Sequence, residues 1–175
     1  MDEANAWLQQ ARSDQRAAER LSDGADGAGL GHAVAKYQQT VEKAVKAIVA
    51  ELRNRGVLDM KIGRRHDVEP LVSAMIRRPR TPRSSDLFNR LSILFNQNAR
   101  AEICALDALV PRWPAPGQSP RKNTEYPFHD ARGQWSYPAA QGVFLSTEVQ
   151  QFRDLSRRMI HGAGQVISAI PRAPR

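Results

Sequence analysis

Apolar residues recur along this chain at three- and four-residue steps, the period of helices that bury one side. The clearest case is the run from His32 to Leu52, HAVAKYQQTVEKAVKAIVAEL. There Val34, Tyr37, Val41, Ala44, Val45, Ile48 and Leu52 form one stripe. The same period places a first helix over Glu3 to Leu21, with Ala4, Trp7, Leu8, Ala11, Ala18 and Leu21 on one face. A Gly/Asp-rich break, SDGADGAGLG, ends that helix and lets the chain reverse. The second helix runs from Gly31 to about Arg55 and stops at Gly56, the residue type that takes the left-handed conformation after a helix at least cost.

The third helix is expected to open with Asp67 as its N-cap. It carries Pro70 in the first turn, where an N–H would have no intrahelical partner, and stops near Arg78, before Pro79 and Pro82. A long fourth helix follows Ser84-Ser85, bearing Leu87, Leu91, Leu94, Phe95, Ile103, Leu106 and Val110, and Pro111 closes it. Leu87/Leu91 and Phe88/Phe95 give it a second apolar face. Residues 111–145 have no helical period. They are rich in Pro, Gly and aromatics, which predicts an irregular insertion packed back onto the bundle, with Trp113 and Trp135 as anchors. The last helix opens with a Thr147/Gln150 capping pair and continues through Phe152, Leu155, Ile160, Ala163, Val166 and Ile170 to Pro171.

Five such helices, with few β-branched runs, predict an all-α up-and-down bundle, and 175 residues suit one domain over 1–175. No stretch approaches the roughly 18 apolar residues of a membrane span, and the acidic opening MDEANAWLQQ is unlike a secretory signal. Cys104 is the only cysteine, which excludes an intramolecular disulfide and points to the reducing cytoplasm. His32, His66, His129 and His161 form no pair at helical ligand spacing, so no metal or cofactor is expected. Walker and Gly-x-Ser-x-Gly patterns are also missing.

Charge narrows the partners. The net charge is +8, and between Arg53 and Arg90 ten Lys/Arg face four Asp/Glu. Such a field favours phosphate-bearing partners, although a solvated basic surface would look the same. Arg64, Arg65 and His66 sit at a helix start, where backbone N–H groups favour an anion; His66 either binds it or packs under the loop. Arg77, Arg78, Arg80 and Arg83, around Pro79 and Pro82, form an arm suited to nucleic-acid backbones or a solvated loop. Aromatics near Arg121, Lys122 and Arg132 are able to stack bases or to anchor the insertion. Glu42 and Lys46, four apart, form a helix-stabilising pair unless Lys43 or Lys46 faces a groove and meets phosphate.

Four landmarks in order give these residues a family likeness. They are Trp7 with Ala11 and Ala18; His32 with Tyr37-Gln38-Gln39 and Glu42-Lys43-Ala44-Val45-Lys46; His66-Asp67-Val68; and Tyr126-Pro127, preceded here by Glu125 where the pattern has arginine. Together they resemble the HEPN domain (higher eukaryotes and prokaryotes nucleotide-binding). The resemblance implies a dimeric helical module that binds nucleotide or RNA, with Tyr126 among its ligand-binding residues. It also implies a setting beside a minimal nucleotidyltransferase, an antitoxin or a defence system, and no membrane.

Many HEPN proteins are metal-independent ribonucleases, which implies an Arg and, after four to six residues, a His on the last helix. The His would move protons at the ribose and leaving oxygens while the Arg stabilises transition-state charge. Here Arg157 and His161 have three residues between them, Arg158 and His161 two, and Arg153 and His161 seven. Arg157 and His161 still share a helical face, four apart. The chain therefore reads first as a HEPN binding module, second as a ribonuclease using Arg157 and His161, and third as a bundle that only dimerises or docks a partner.

Overall fold

The computed structural model describes residues 1–24, 29–62, 66–77, 85–110, 122–124, 128–130, 132–138, 140 and 143–169. Among them are six helices and one two-stranded ribbon: α1 (Glu3–Asp23), α2 (Leu30–Asn54), α3 (Glu69–Ile76), α4 (Ser85–Leu94), α5 (Gln97–Asp107), β1 (Phe128–His129), β2 (Trp135–Ser136) and α6 (Ser146–Ala169). The fold is the all-α bundle that the apolar period predicts. Helices α1, α2 and α6 pack against one another, and α3, α4 and α5 cover the remaining side. Because helices flank it on both sides, α2 is buried well beyond its apolar stripe, with Thr40, Glu42, Lys46 and Glu51 enclosed alongside Tyr37, Ile48 and Leu52.

Both ends of α2 follow their local chemistry. Gly56 takes φ +67, and the N–H groups of Val57 and Leu58 return to the Leu52 carbonyl, closing the helix where the glycine predicts. At the other end Gly31 lies against the backbone carbonyl of Pro138, so close that a Cβ there would sit 2.2 Å from the Pro138 oxygen. That approach brings the segment before α6 down onto the start of α2.

Three local expectations need correction. The long fourth helix is broken into α4 and α5 at Asn96, whose extended backbone (φ −63, ψ 173) and Oδ1, accepting from Ala99 N–H at 2.9 Å, start a new helix. Phe95 and Ala99 stay four apart and both buried, so the apolar period runs through the break unchanged. Asp67 is not the cap of α3. Val68 holds that position without a side-chain bond of its own, and Asp107 of α5 reaches across instead, its Oδ2 accepting from Val68 and Glu69 N–H at 2.8 Å each. Finally, α6 opens at Ser146, with Glu148 accepting from Leu145 N–H at 2.9 Å in place of the Thr147/Gln150 pair.

Helix α3 is also tied to α5 through Glu69. Its Oε1 accepts from Ser73 Oγ and, at 2.8 Å, from Arg100 Nη2. These bonds, that from Ser73 first, hold the Glu69 carboxyl below the usual carboxylate range. A depressed folded pKa contributes stability at neutral pH that is lost as pH falls through it. Thermal melts from neutral to about pH 3 are therefore expected to drop more steeply for the wild type than for Glu69→Gln. Parallel curves would remove the tie from the stability of the fold.

Within 111–145, Phe128 and Phe144 are the buried aromatics among the described residues, and Lys122 ties the segment to α6 through Glu148 at 3.1 Å. Trp135 is not a core anchor, because it is 68% exposed. Trp113 lies outside the described residues.

Candidate nucleic-acid interface

The lysines of α2 face α1 across a charged seam that neutralises itself. Lys43 pairs with Asp14 of α1, and Lys36 approaches the same carboxylate at 3.6 Å. Lys46 Nζ donates to Glu42 Oε1 at 2.6 Å, both side chains buried, and lies 5.1 Å from the centre of the Trp7 ring. His66 Nδ1 is 3.0 Å from Glu42 Oε2. The His66 ring is otherwise 68% exposed. Lys43, Lys46 and His66 each meet a carboxylate supplied by the bundle.

The start of α3 is likewise occupied from within. Its first N–H groups, the donors that would attract a bound anion beside His66, already hold the Asp107 carboxylate. Arg77 is the exposed C-cap of α3. Arg64, Arg65, Tyr126, Arg78, Arg80 and Arg83 lie outside the described residues.

The outer face of α6 differs. Arg153 is consumed structurally: its Nε donates to Tyr37 Oη at 3.0 Å, and its Nη2 reaches Ser22 Oγ at 3.1 Å and the Asp23 carboxylate. Asp23, ahead of Tyr37, raises the pKa of this guanidinium further. One turn on, Arg157 donates to Glu19 of α1, from Nη2 at 2.7 Å and from Nε at 3.0 Å. His161, another turn along, is exposed on a ridge between two cavities. The cavity of about 450 Å³ on the α1 side is lined mostly by polar residues, Arg12, Gln15, Arg157 and Gln165 among them, with Ile160. The one of about 420 Å³ on the α4 side is mostly apolar, floored by Leu94 and Val166, with Ile93, Arg90 and Arg158 around it. Ile93 is 74% exposed.

The four arginines around His161 are not equivalent. Arg157 is engaged by Glu19, Arg158 by Glu102, and Arg90 by Asp86 at 3.1 Å. Arg12 makes no ion pair or hydrogen bond among the described residues, and its Nη2 lies over Gly164 on the floor of the polar cavity. His161 likewise has no hydrogen-bonding partner among them. Arg157 and His161 are thus brought together as their spacing predicts. Arg12 was missed, though its repeat with Arg16 and Arg20 at four-residue steps draws a basic line along α1.

Residues 4–104, more than half of the chain, match the HEPN domain family. The chain belongs to the HEPN family. No curated protein and no solved structure matches it. Membership makes this a helical module of the nucleotide- and RNA-related kind. The HEPN match runs from the start of α1 into α5 and ends before α6, so it does not depend on Arg157 or His161. What makes α2 recognisable as HEPN is built into the core of this chain. Tyr37 receives Arg153. Gln38 Nε2 donates to the Leu106 carbonyl at 3.2 Å, and its Oε1 accepts from Thr124 Oγ1 at 3.3 Å. No described helix of this HEPN chain is long and apolar enough to cross a membrane.

Proposed function

We propose that the chain is an RNA-binding HEPN module that holds the phosphate backbone in the polar cavity between α1 and α6. The observation that carries this reading is the Arg12 guanidinium, without an anionic partner among the described residues, beside exposed His161 in a cavity walled by a second arginine. Of the other cationic candidates described, Lys43, Lys46 and His66 already have carboxylates that a phosphate would have to displace, and exposed Arg77 does not line the cavity. A net charge of +8 supplies the long-range attraction. We assign the apolar cavity of α4 and α6, with Ile93 on its rim, to contact with a second copy of the chain.

Affinity for a short fluorescein-labelled single-stranded RNA, measured across a salt series, tests the reading. Each arginine that meets phosphate contributes about 0.7 to the slope of log affinity against log salt. Arg12→Ala is expected to weaken binding and flatten the slope by about that amount. Binding indifferent to salt and to Arg12 would move the chain to the purely structural reading.

A ribonuclease remains the second reading, because Arg157 and His161 line one cavity. Against it, Glu19 already takes the Arg157 guanidinium, and no described neighbour orients His161 as a base. RNA cleavage lost in a folded His161→Ala variant would establish the enzyme. Unchanged cleavage would remove His161 from it.

A further inference from the structure

The ribbon before α6 has two unlike faces. The register pairs Phe128 with Ser136 and His129 with Trp135, and side chains alternate between faces along each strand. Phe128 is buried on one face. On the other, the His129 and Trp135 rings meet edge to face with centroids 4.2 Å apart, and Tyr137 follows Trp135 two residues on. Trp135 is 68% and Tyr137 58% exposed, while Pro138, next in the chain, is buried over Gly31.

The turn that presents these rings is well braced. Asp130 N–H donates to the Gln134 carbonyl at 2.8 Å, and Asp130 Oδ1 accepts from Arg132 and Gln134 N–H at 2.8 and 2.9 Å. With Phe128 buried on the opposite face and Pro138 seated over Gly31, Trp135 and Tyr137 face outward. Two large aromatic rings kept in water are costly to leave uncovered.

The geometry points to unpaired bases of single-stranded RNA as what covers them. Tyr137 follows the end of β2 and precedes Pro138, which favours extended backbone there; residues two apart on extended chain repeat at roughly 6.7 Å, about twice the 3.4 Å repeat of stacked bases, so one base fits between the rings or one on each. Exposed Arg132 stands at the tip, where its guanidinium can stack or meet phosphate, and the +8 chain attracts polyanions. The single acid of the turn, Asp130, is bound to the backbone of the turn. The inference rests on the RNA-binding reading and adds to it a preference: the α1/α6 cavity takes backbone charge, and the ribbon selects single strands by stacking.

The test compares a labelled oligoadenylate with a double-stranded RNA of equal length, using wild type, Trp135→Ala, Trp135→Phe, Tyr137→Ala and Arg12→Ala. Trp135→Ala is expected to weaken oligoadenylate binding about tenfold with an unchanged salt slope, and Trp135→Phe to restore most of it. Tyr137→Ala should act in the same direction, and duplex binding should not change. All four variants should keep the wild-type helical signal in circular dichroism, since each removes a side chain that lies outside the core. Single-strand affinity untouched by Trp135→Ala, or duplex affinity lost equally, would overturn the stacking assignment while leaving the Arg12 reading standing. Self-association lost in Trp135→Ala with RNA affinity unchanged would give the face to a protein contact. A wild-type protein that binds neither RNA would overturn both readings.

Discussion

Lys46→Met is expected to destabilise the folded chain by about 3 kcal/mol, the cost of leaving a buried carboxylate without its main partner. In a chain of this size that lowers the melting temperature by roughly 10 °C. The argument depends on burial. Lys46 and Glu42 side chains are 5% and 6% exposed, so water neither screens the pair nor solvates a survivor. Glu42→Met should cost a similar amount, leaving an ammonium whose remaining partner among the described residues is the Trp7 ring. The double substitution should recover at least half of either loss, because two unbranched apolar side chains fill the same space without desolvating any charge. Thermal melts of the four proteins close the cycle. Additive losses would mean that the two residues do not act on each other, and that the seam is more hydrated than its burial indicates.

That pair marks where sequence reading reaches its limit here. The helices that form the centre of the bundle were legible because each is long enough for the three- and four-residue period to repeat several times, and Gly56 announced its own conformation. The break at Asn96 was hidden because Phe95, Ala99 and Ile103 keep the helical period across it. Only the capping chemistry of an asparagine three residues before Ala99 signals a new start. The Glu42–Lys46 pair could be read from its spacing. Its burial could not, because that depends on α1 and on the connector carrying His66 closing over the same side of α2. Arg157 and His161 were found by spacing on one helix, whereas Arg12 needed the fold, since it reaches the same cavity from the opposite end of the chain.

Asp107 shows the same limit with a sharper consequence. A helix start next to His66 and two arginines looks like an anion site, and it is one, but the anion is the chain's own. Asp107 Oδ2 takes the Val68 and Glu69 N–H groups at 2.8 Å each, from a residue that is itself buried. Asp107→Ala removes two hydrogen bonds to a charged acceptor and exposes α3 to fraying, with an expected loss of about 3 kcal/mol. Asp107→Asn keeps an acceptor oxygen without the charge and should lose less than half as much. The variants also separate capping from simple packing. With the carboxylate gone, the start of α3 regains the donors that attract an external anion, so inorganic phosphate or sulfate should stabilise Asp107→Ala more than the wild type, increasingly with concentration. Melting temperatures measured against added sulfate, with chloride at matched ionic strength, check this directly. Equal slopes for the two proteins would show that the N–H groups freed at the start of α3 do not attract an external anion, and would remove the occupied anion site from the account of this corner.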